Sequence, residues 1–173
     1  MSINHWIVKN LVCTLFLVVG GLNIYAQKDK YLIEAEAFQF KGKWSTDRSA
    51  DCMGSAMLRL NGGGSLYEQF DALTVVNIME EGDYNVWVRS ADYDKLPGTR
   101  LFRLSVDEKP MKESGKHGKV GFYWENAGCV QLAKKQVLLR LHDTKRNFGR
   151  CDAILLVKDH SINPNEMDRK EVG

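Results

Sequence analysis

The chain has 173 residues, of which 44% are hydrophobic, and its 24 lysines and arginines nearly balance its 22 aspartates and glutamates. This length accommodates one domain of ordinary size, which excludes a TIM barrel, a two-domain dinucleotide-binding enzyme and a long repeat array. The formal net charge of +2 gives no electrostatic reason to expect binding to nucleic acid or to an anionic membrane.

Residues 1–26 have the pattern of a secretory signal peptide. Lys9 is their only lysine or arginine, no acid is present, and a short apolar run at 11–21 precedes a plausible cleavage point after Ala26. An uncleaved anchor is the weaker alternative, because the run is shorter than the roughly 20 residues that span a bilayer. We therefore expect export to the periplasm or the cell exterior, with no membrane attachment after cleavage.

Residues 27–159 are predicted to form one antiparallel β-sandwich. Val86 and Val88 alternate with Trp87 and Arg89, which is the period of two expected of a half-buried strand. Many short runs of this kind, joined by Gly, Asp and Asn turns, indicate an all-β sandwich or barrel. In chain order, we expect strands at 31–38, 54–61, 66–70, 73–79, 83–91, 102–106, 137–141 and 153–157. The polar segment 160–173 is predicted to be an unstructured tail or linker.

The cysteines suggest neither a disulfide framework nor a metal site. Cys13 lies in the predicted signal, which leaves Cys52, Cys129 and Cys151. In an exported protein an odd number means that at least one thiol is free or bonded to another chain. None has CxxC or Cys/His spacing, and we expect Cys129 and Cys151 to be small buried strand residues.

Three segments resemble a known family. They are Ile33-Glu-Ala-Glu36, the Gly-Asp-Tyr-Asn-Val-Trp-Val-Arg stretch at 82–89, and Cys151-Asp-Ala-Ile-Leu-Leu156. Together they resemble the galactose-binding-like jelly rolls of carbohydrate-binding modules, especially families 6 and 35, over residues 31–159. The chain is also similar to jelly-roll modules appended to large secreted bacterial enzymes. The resemblance implies a jelly roll that binds glycan and has another domain or subunit of a secreted enzyme as a partner.

The resemblance also implies a structural calcium ion held by Glu34, Glu36 and Asp152. In a strand, residues two apart project from one face, so Glu34 and Glu36 would lie together, and carboxylates suit a hard cation. Two alternatives stay open. The acids could simply be solvated, or Arg150 could pair with one of them in place of the ion.

Glycan sites in such modules lie at loop tips, where aromatic rings stack on sugar faces and polar side chains bind hydroxyls. The resemblance therefore implies a carbohydrate site at one end of the sandwich, with an exposed cluster of Tyr93, Trp124 and Asn147. Each ring has an alternative role as a plug packed on the sandwich edge, for which Trp44 and Phe148 are the strongest candidates. The candidate binding residues are Trp44, Tyr93, Trp124, Asn126 and Asn147.

Catalytic motifs are absent from the sequence. It contains no HExxH, GxSxG, P-loop or GxGxxG. Tyr123, His142 and Arg140 are residue types that a polysaccharide lyase uses, but nothing in their spacing selects them over chance. We therefore expect no catalytic residues. The predicted function is a non-catalytic carbohydrate-binding module of an exported protein. The alternatives are a structural or protein-docking module and, third, a small polysaccharide lyase or hydrolase.

Overall fold

The computed structural model describes residues 24–27, 29–61, 71–144 and 148–173. Within them the chain forms strands, two 3₁₀ turns at Ala35–Ala37 and Pro164–Glu166, and the short helix α1 at Arg169–Val172. The strands are β1 Ile24–Gln27, β2 Lys30–Glu34, β3 Ser45–Arg48, β4 Ala56–Arg59, β5 Ala72–Asn77, β6 Gly82–Ala91, β7 Phe102–Val106, β8 Lys109–Ser114, β9 Phe122–Leu132, β10 Gln136–His142 and β11 Arg150–Val157.

The strands form two antiparallel sheets. In the larger sheet β11 is central, because it pairs with β2 on one side, with β6 on the other, and with β4 at its start. β1 extends this sheet beyond β2, β3 beyond β4, and β9 beyond β6. The smaller sheet has the order β5-β10-β7-β8. The prediction of an all-β sandwich is confirmed.

The core lies between the sheets and is built by the alternation seen in the sequence. One face of each strand is apolar and loses its contact with water, which supplies the main driving force for folding. The fully buried residues include Tyr84, Val86 and Val88 of β6, Phe102, Leu104 and Val106 of β7, and Val137, Leu139 and Leu141 of β10.

A second apolar layer covers the outer face of the larger sheet, and the end of the chain completes it. Leu155 and Val157 of β11 point to this face, where they pack in one buried cluster with Trp124 and Val172. The Asn165 side chain accepts a hydrogen bond from the backbone N–H of Trp124 and donates one to its carbonyl, both at 2.9 Å. The prediction of an unstructured tail is wrong, because apolar residues scattered in a polar segment cover the sheet.

Some expectations lie at or beyond the limits of the described residues. The strand predicted at 66–70 falls in the undescribed range 62–70. β1 spans the predicted cleavage point after Ala26, and the export signal stays a prediction. No helix among the described residues is long and apolar enough to cross a membrane.

Candidate functional site

One end of the sandwich is organised by the buried carboxylate of Asp92, which follows β6. It accepts hydrogen bonds from the backbone N–H groups of Tyr93 at 2.7 Å, Gly98 at 3.2 Å and Gly118 at 2.9 Å. The carbonyl of Asp92 also accepts a bond from Arg100 Nη1 at 2.7 Å. A loop with several of its N–H groups on one carboxylate holds a fixed shape, so the side chains that it carries are preorganised.

A pocket of about 270 Å³ opens at this end, lined by Tyr93, Thr99, Arg100, Phe148 and Arg150. Both rings are exposed for their size, Tyr93 at 40% and Phe148 at 47%. The backbone N–H of Phe148 donates to the Thr99 carbonyl at 3.4 Å, which joins the loop after β6 to the loop before β11. We call this set of five residues the loop-tip pocket.

The lining of the loop-tip pocket contains two arginines and no acid. The pKa of the Arg150 guanidinium is lowered, first by burial and then by the neighbouring charges of Arg100 and Arg59, whereas the charge of Asp47 opposes this. Burial also lowers the pKa of Arg100. No hydrogen bond or ion pair reaches the Arg150 side chain from the described part of the chain, so its donors are free to meet an acceptor in the pocket.

Of the predicted carbohydrate-binding residues that the structure describes, Tyr93 alone lines the loop-tip pocket. Trp124 is 4% exposed and lies in β9 beneath the tail, and Trp44 is 3% exposed and packs edge-on against the Phe102 ring. For these two residues the predicted exposed position at a loop tip is wrong, because each ring packs against other parts of the molecule. The expected exposed cluster is therefore not formed.

Two further predicted residues have other outcomes. Asn126 is exposed but lies within β9 opposite Trp87, where its side-chain oxygen accepts the Gly128 N–H at 2.9 Å. It is part of a sheet rather than a loop tip, so its predicted placement is wrong. Asn147 lies outside the described residues.

Sequence reasoning missed most of the loop-tip pocket. Phe148, expected to be a plug, is exposed. Arg100 and Arg150 were not candidates for sugar contact, because an arginine next to a loop is usually a solvated charge. The available signal was their placement, since each arginine lies at the end of a loop that carries one of the two exposed rings.

The acidic corner, formed by Glu34, Glu36 and Asp152, is assembled differently from the prediction. Glu34 ends β2 and Glu36 lies in the following 3₁₀ turn, so they do not share a strand face. They converge instead at Gly54, where a Cβ atom would stand 2.4 Å from Glu36 Oε1 and 2.6 Å from Glu34 Oε2. Glu36 Oε1 accepts the Ser55 N–H at 2.7 Å, whereas its Oε2 is buried with no hydrogen-bond partner.

Asp152 is already paired with a positively charged side chain. Its carboxylate is fully buried, accepts the Met53 N–H at 3.1 Å on both oxygens, and is ion-paired with Arg89 rather than with Arg150. Burial raises the pKa of Asp152, and the Arg89 charge opposes that rise. The described residues contain no group of three acidic, histidine or cysteine side chains placed to hold a metal ion.

A calcium ion that binds all three carboxylates therefore does not fit this arrangement, because the Arg89 guanidinium occupies the place of a cation at Asp152. The orphaned oxygen of Glu36 beside Glu34 leaves only a two-carboxylate site. Calcium binding stays a prediction.

The lyase residues considered from the sequence are not gathered. Tyr123 lies in β9 of the larger sheet, whereas Arg140 and His142 lie in β10 of the smaller one and line a different groove.

Comparison with known proteins supports the fold. No family model and no curated protein matches the chain. A family 35 carbohydrate-binding module from Clostridium thermocellum matches with a TM-score of 0.58 and 18% identity, covering 73% of this chain and 97% of that one. The C-terminal family 6 module of a laminarinase from Zobellia galactanivorans matches with a TM-score of 0.56 and 15% identity, covering 75% and 100%.

A Podospora anserina β-(1,4)-mannanase that carries a family 35 module gives a TM-score of 0.62 at 17% identity, covering 84% of this chain but only 33% of the enzyme. At such identities the likeness establishes the architecture. The chain has the jelly-roll β-sandwich of carbohydrate-binding modules, and its function has to be argued from its own residues.

Proposed function

We propose that the chain is a glycan-binding module that binds its ligand, without chemistry, in the loop-tip pocket. The observation that carries this proposal is the pairing of two exposed rings, Tyr93 and Phe148, with two half-buried guanidinium groups, Arg100 and Arg150, in one preorganised pocket. Sugar rings present CH faces that pack on aromatic rings, and their oxygens accept hydrogen bonds from donors such as arginine.

The charge of the loop-tip pocket indicates which class of glycan it would bind. Arg150 lies near the positive charges of Arg100 and Arg59, which the negative charge of Asp47 only partly offsets, and an arginine fork binds a planar carboxylate with two parallel hydrogen bonds. A glycan that carries carboxylate or sulfate groups would relieve this repulsion, whereas a neutral glycan would leave it in place. We therefore propose an acidic glycan.

The setting of the module is part of the proposal. The mannanase match, in which the similar region is a third of a larger enzyme, supports attachment to a glycan-active enzyme. The sequence pattern of residues 1–26 supports export. Both features suit a module that meets polysaccharide outside the cytoplasm.

Isothermal titration calorimetry with paired acidic and neutral oligosaccharides tests this function. Tyr93→Ala and Phe148→Ala should each weaken binding about two- to tenfold, because one ring contact contributes about 0.5–1.5 kcal/mol. Arg150→Met should weaken binding about 10- to 100-fold, since a hydrogen bond to a charged group contributes about 1.5–3 kcal/mol.

Matched controls lie outside the pocket. Phe40→Ala removes a ring that is 51% exposed, and Arg48→Met removes an exposed arginine from β3. Both controls should bind like the parent. Equal affinity of the parent and Arg150→Met for every acidic glycan would refute the acidic ligand, and unchanged binding by both ring variants would refute the site.

A further inference from the structure

The outer face of the smaller sheet carries a polar groove of about 470 Å³ that lies apart from the loop-tip pocket. Residues on three neighbouring strands meet there. Ser105 is on β7, His142 is on β10, and Asp71 immediately precedes β5. β10 lies between the other two strands, so the imidazole stands between the hydroxyl and the carboxylate. We call these three residues the Ser-His-Asp row.

The distances within the Ser-His-Asp row are those of a proton relay. Ser105 Oγ is 2.7 Å from His142 Nε2, and His142 Nδ1 is 2.8 Å from Asp71 Oδ2. Although close, Asp71 Oδ2 meets no donor in hydrogen-bond direction, and it also lies 3.9 Å from Arg140 Nη1, so the carboxylate acts through its charge on both the ring and the arginine. Asp71 is buried, whereas the His142 side chain is 27% exposed and reaches the groove.

Two arginines flank Ser105, and each also forms an ion pair with an acidic side chain. Arg140 is the cross-strand partner of Ser105, and Arg103 is the partner of His142. The Nε of Arg103 is buried and has no hydrogen-bond partner in the described residues, although its Nη2 lies 3.4 Å from Glu113. Arginines on the same sheet face as a nucleophile can stabilise negative charge that develops there during a reaction.

The backbone is also irregular beside Ser105. The pairing of β7 with β8 shifts register between Arg103 and Ser105, and Ser105 is opposite Pro110, which has no N–H to donate. Bulges of this kind occur next to active sites, where they redirect side chains. Here the interruption lies at the proposed nucleophile.

We propose that the Ser-His-Asp row is an acyl-transfer site that hydrolyses a short carboxylic ester, such as an O-acetyl group. Ser105 Oγ attacks the acyl carbon while its proton passes to His142 Nε2, and the resulting oxyanion faces the guanidinium groups. The carbon–oxygen bond to the alcohol then breaks, and the alcohol leaves with the proton held by His142. Water attacks acyl-Ser105 and gives its proton to His142, after which the acid leaves and Ser105 regains its proton.

The groove and the loop-tip pocket require different chemistry, so neither assignment depends on the other. The loop-tip pocket offers rings and guanidinium groups, and its two hydroxyls, those of Tyr93 and Thr99, have no imidazole or carboxylate beside them in the pocket lining. Of these two sites, the groove is the one that combines a hydroxyl, an imidazole and a buried carboxylate at close distances.

Diisopropyl fluorophosphate tests the nucleophile directly in the full chain. Attack by Ser105 forms an oxygen–phosphorus bond, expels fluoride and passes the proton to His142, and peptide mapping locates the adduct. We expect one adduct, on Ser105, and its loss in His142→Gln. Hydrolysis of p-nitrophenyl acetate should fall roughly tenfold or more in Ser105→Ala and in His142→Gln, because a positioned general base contributes about 10²–10⁴-fold.

Two exposed residues near the end of the chain give matched controls, because surface histidines hydrolyse activated esters slowly by themselves. Ser161→Ala and His160→Gln should keep the parent's labelling and rate. An unlabelled Ser105, or a Ser105→Ala variant that hydrolyses the ester as fast as the parent, would overturn the proposal. Either result would leave the glycan titrations unaffected, because those use other residues.

Discussion

The outer faces of the two sheets have opposite character. The face of the larger sheet is apolar and is covered by the end of the chain, with Val172 only 1% exposed against Leu155 and Trp124. The face of the smaller sheet is polar and open, and it holds the Ser-His-Asp row. Burial of one face stabilises the sandwich, whereas on the other face the side chain of His142 remains 27% exposed and within reach of a ligand.

The largest expected effect comes from the ion pair beneath the closed face. Arg89→Met should lower the free energy of unfolding by about 3–5 kcal/mol at neutral pH, because it leaves the charged carboxylate of Asp152 buried without its cation. Urea denaturation measures the loss. As a control, Arg59→Met removes an exposed pair with Asp47 and should cost less than about 1 kcal/mol.

Acid should reduce the loss in Arg89→Met. Burial raises the pKa of Asp152 above its ordinary value, so the folded state binds a proton more tightly than the unfolded state. The stability contributed by this proton is present at low pH and is lost as pH rises through the folded pKa. Without Arg89 the pKa rises further, so a protonated Asp152 makes the variant less unstable at low pH. A loss that is the same at acidic and neutral pH would contradict this account.

Added calcium gives a further test of the role of Arg89. In Arg89→Met the Asp152 carboxylate of the acidic corner loses its cation, and a ligand that binds only the folded state stabilises it. We expect added calcium to raise the melting temperature of Arg89→Met more than that of the parent, and a chelator to reverse the gain. Equal shifts in both proteins would show that Arg89 does not take the place of the ion.

The next largest effect should come from removing the tail from the outer face of the larger sheet. Val172→Asp should release the tail and lower the free energy of unfolding by about 2–3 kcal/mol, since full burial of such a side chain contributes about that much. Val120→Asp, at a position 83% exposed, should change it by less than about 0.5 kcal/mol. Denaturation gives the energies, and faster trypsin cleavage after Arg169 would report release of the tail. An equal loss in both variants would contradict the assigned role of the tail.

A substitution on the polar outer face of the smaller sheet should cost much less stability. Ser105→Ala should alter the free energy of unfolding by less than about 1 kcal/mol, because water in the groove can replace the lost hydrogen bond to His142. A loss of 3 kcal/mol or more would mark the Ser-His-Asp row as a structural network. Circular dichroism during denaturation distinguishes these outcomes, and it also confirms that the variant used for ester hydrolysis is folded.

The same contrast explains what the sequence could predict. Alternation fixes which residues of β6, β7 and β10 face the core, because a strand has only two faces. The run at 153–157 is apolar on both faces, which correctly indicated a central strand but did not show what covers its outer side. That cover is Val172 and its neighbours, in a segment whose polar composition predicts disorder.

The sites were harder to predict because each depends on distant residues meeting. From the sequence, Trp124 is predicted to be a loop aromatic, because nothing in its neighbourhood shows that the tail covers it. Asp152 pairs with Arg89 on the adjacent strand rather than with Arg150, which is nearby in sequence. Asp71, Ser105 and His142 have no motif spacing, because their proximity follows from the strand order β5-β10-β7. Loop composition alone could not separate the exposed ring of Phe148 from the buried ring of Trp44.

The smallest effect is a difference in thiol reactivity that reports whether the tail is in place. Cys52 is buried, its carbonyl accepts Arg169 Nη1 at 2.8 Å, and burial raises the pKa of its thiol to about 12. Cys151 is fully buried with a pKa raised well above the ordinary value, whereas Cys129 is exposed. Since the thiolate is the reactive form, brief iodoacetamide treatment of the folded parent should modify Cys129 and spare both others. Peptide mapping of Val172→Asp should then show Cys52 modified as well, with Cys151 still spared inside the core. Equal protection of Cys52 in the two proteins would mean that the tail is not what shields Cys52 from the reagent.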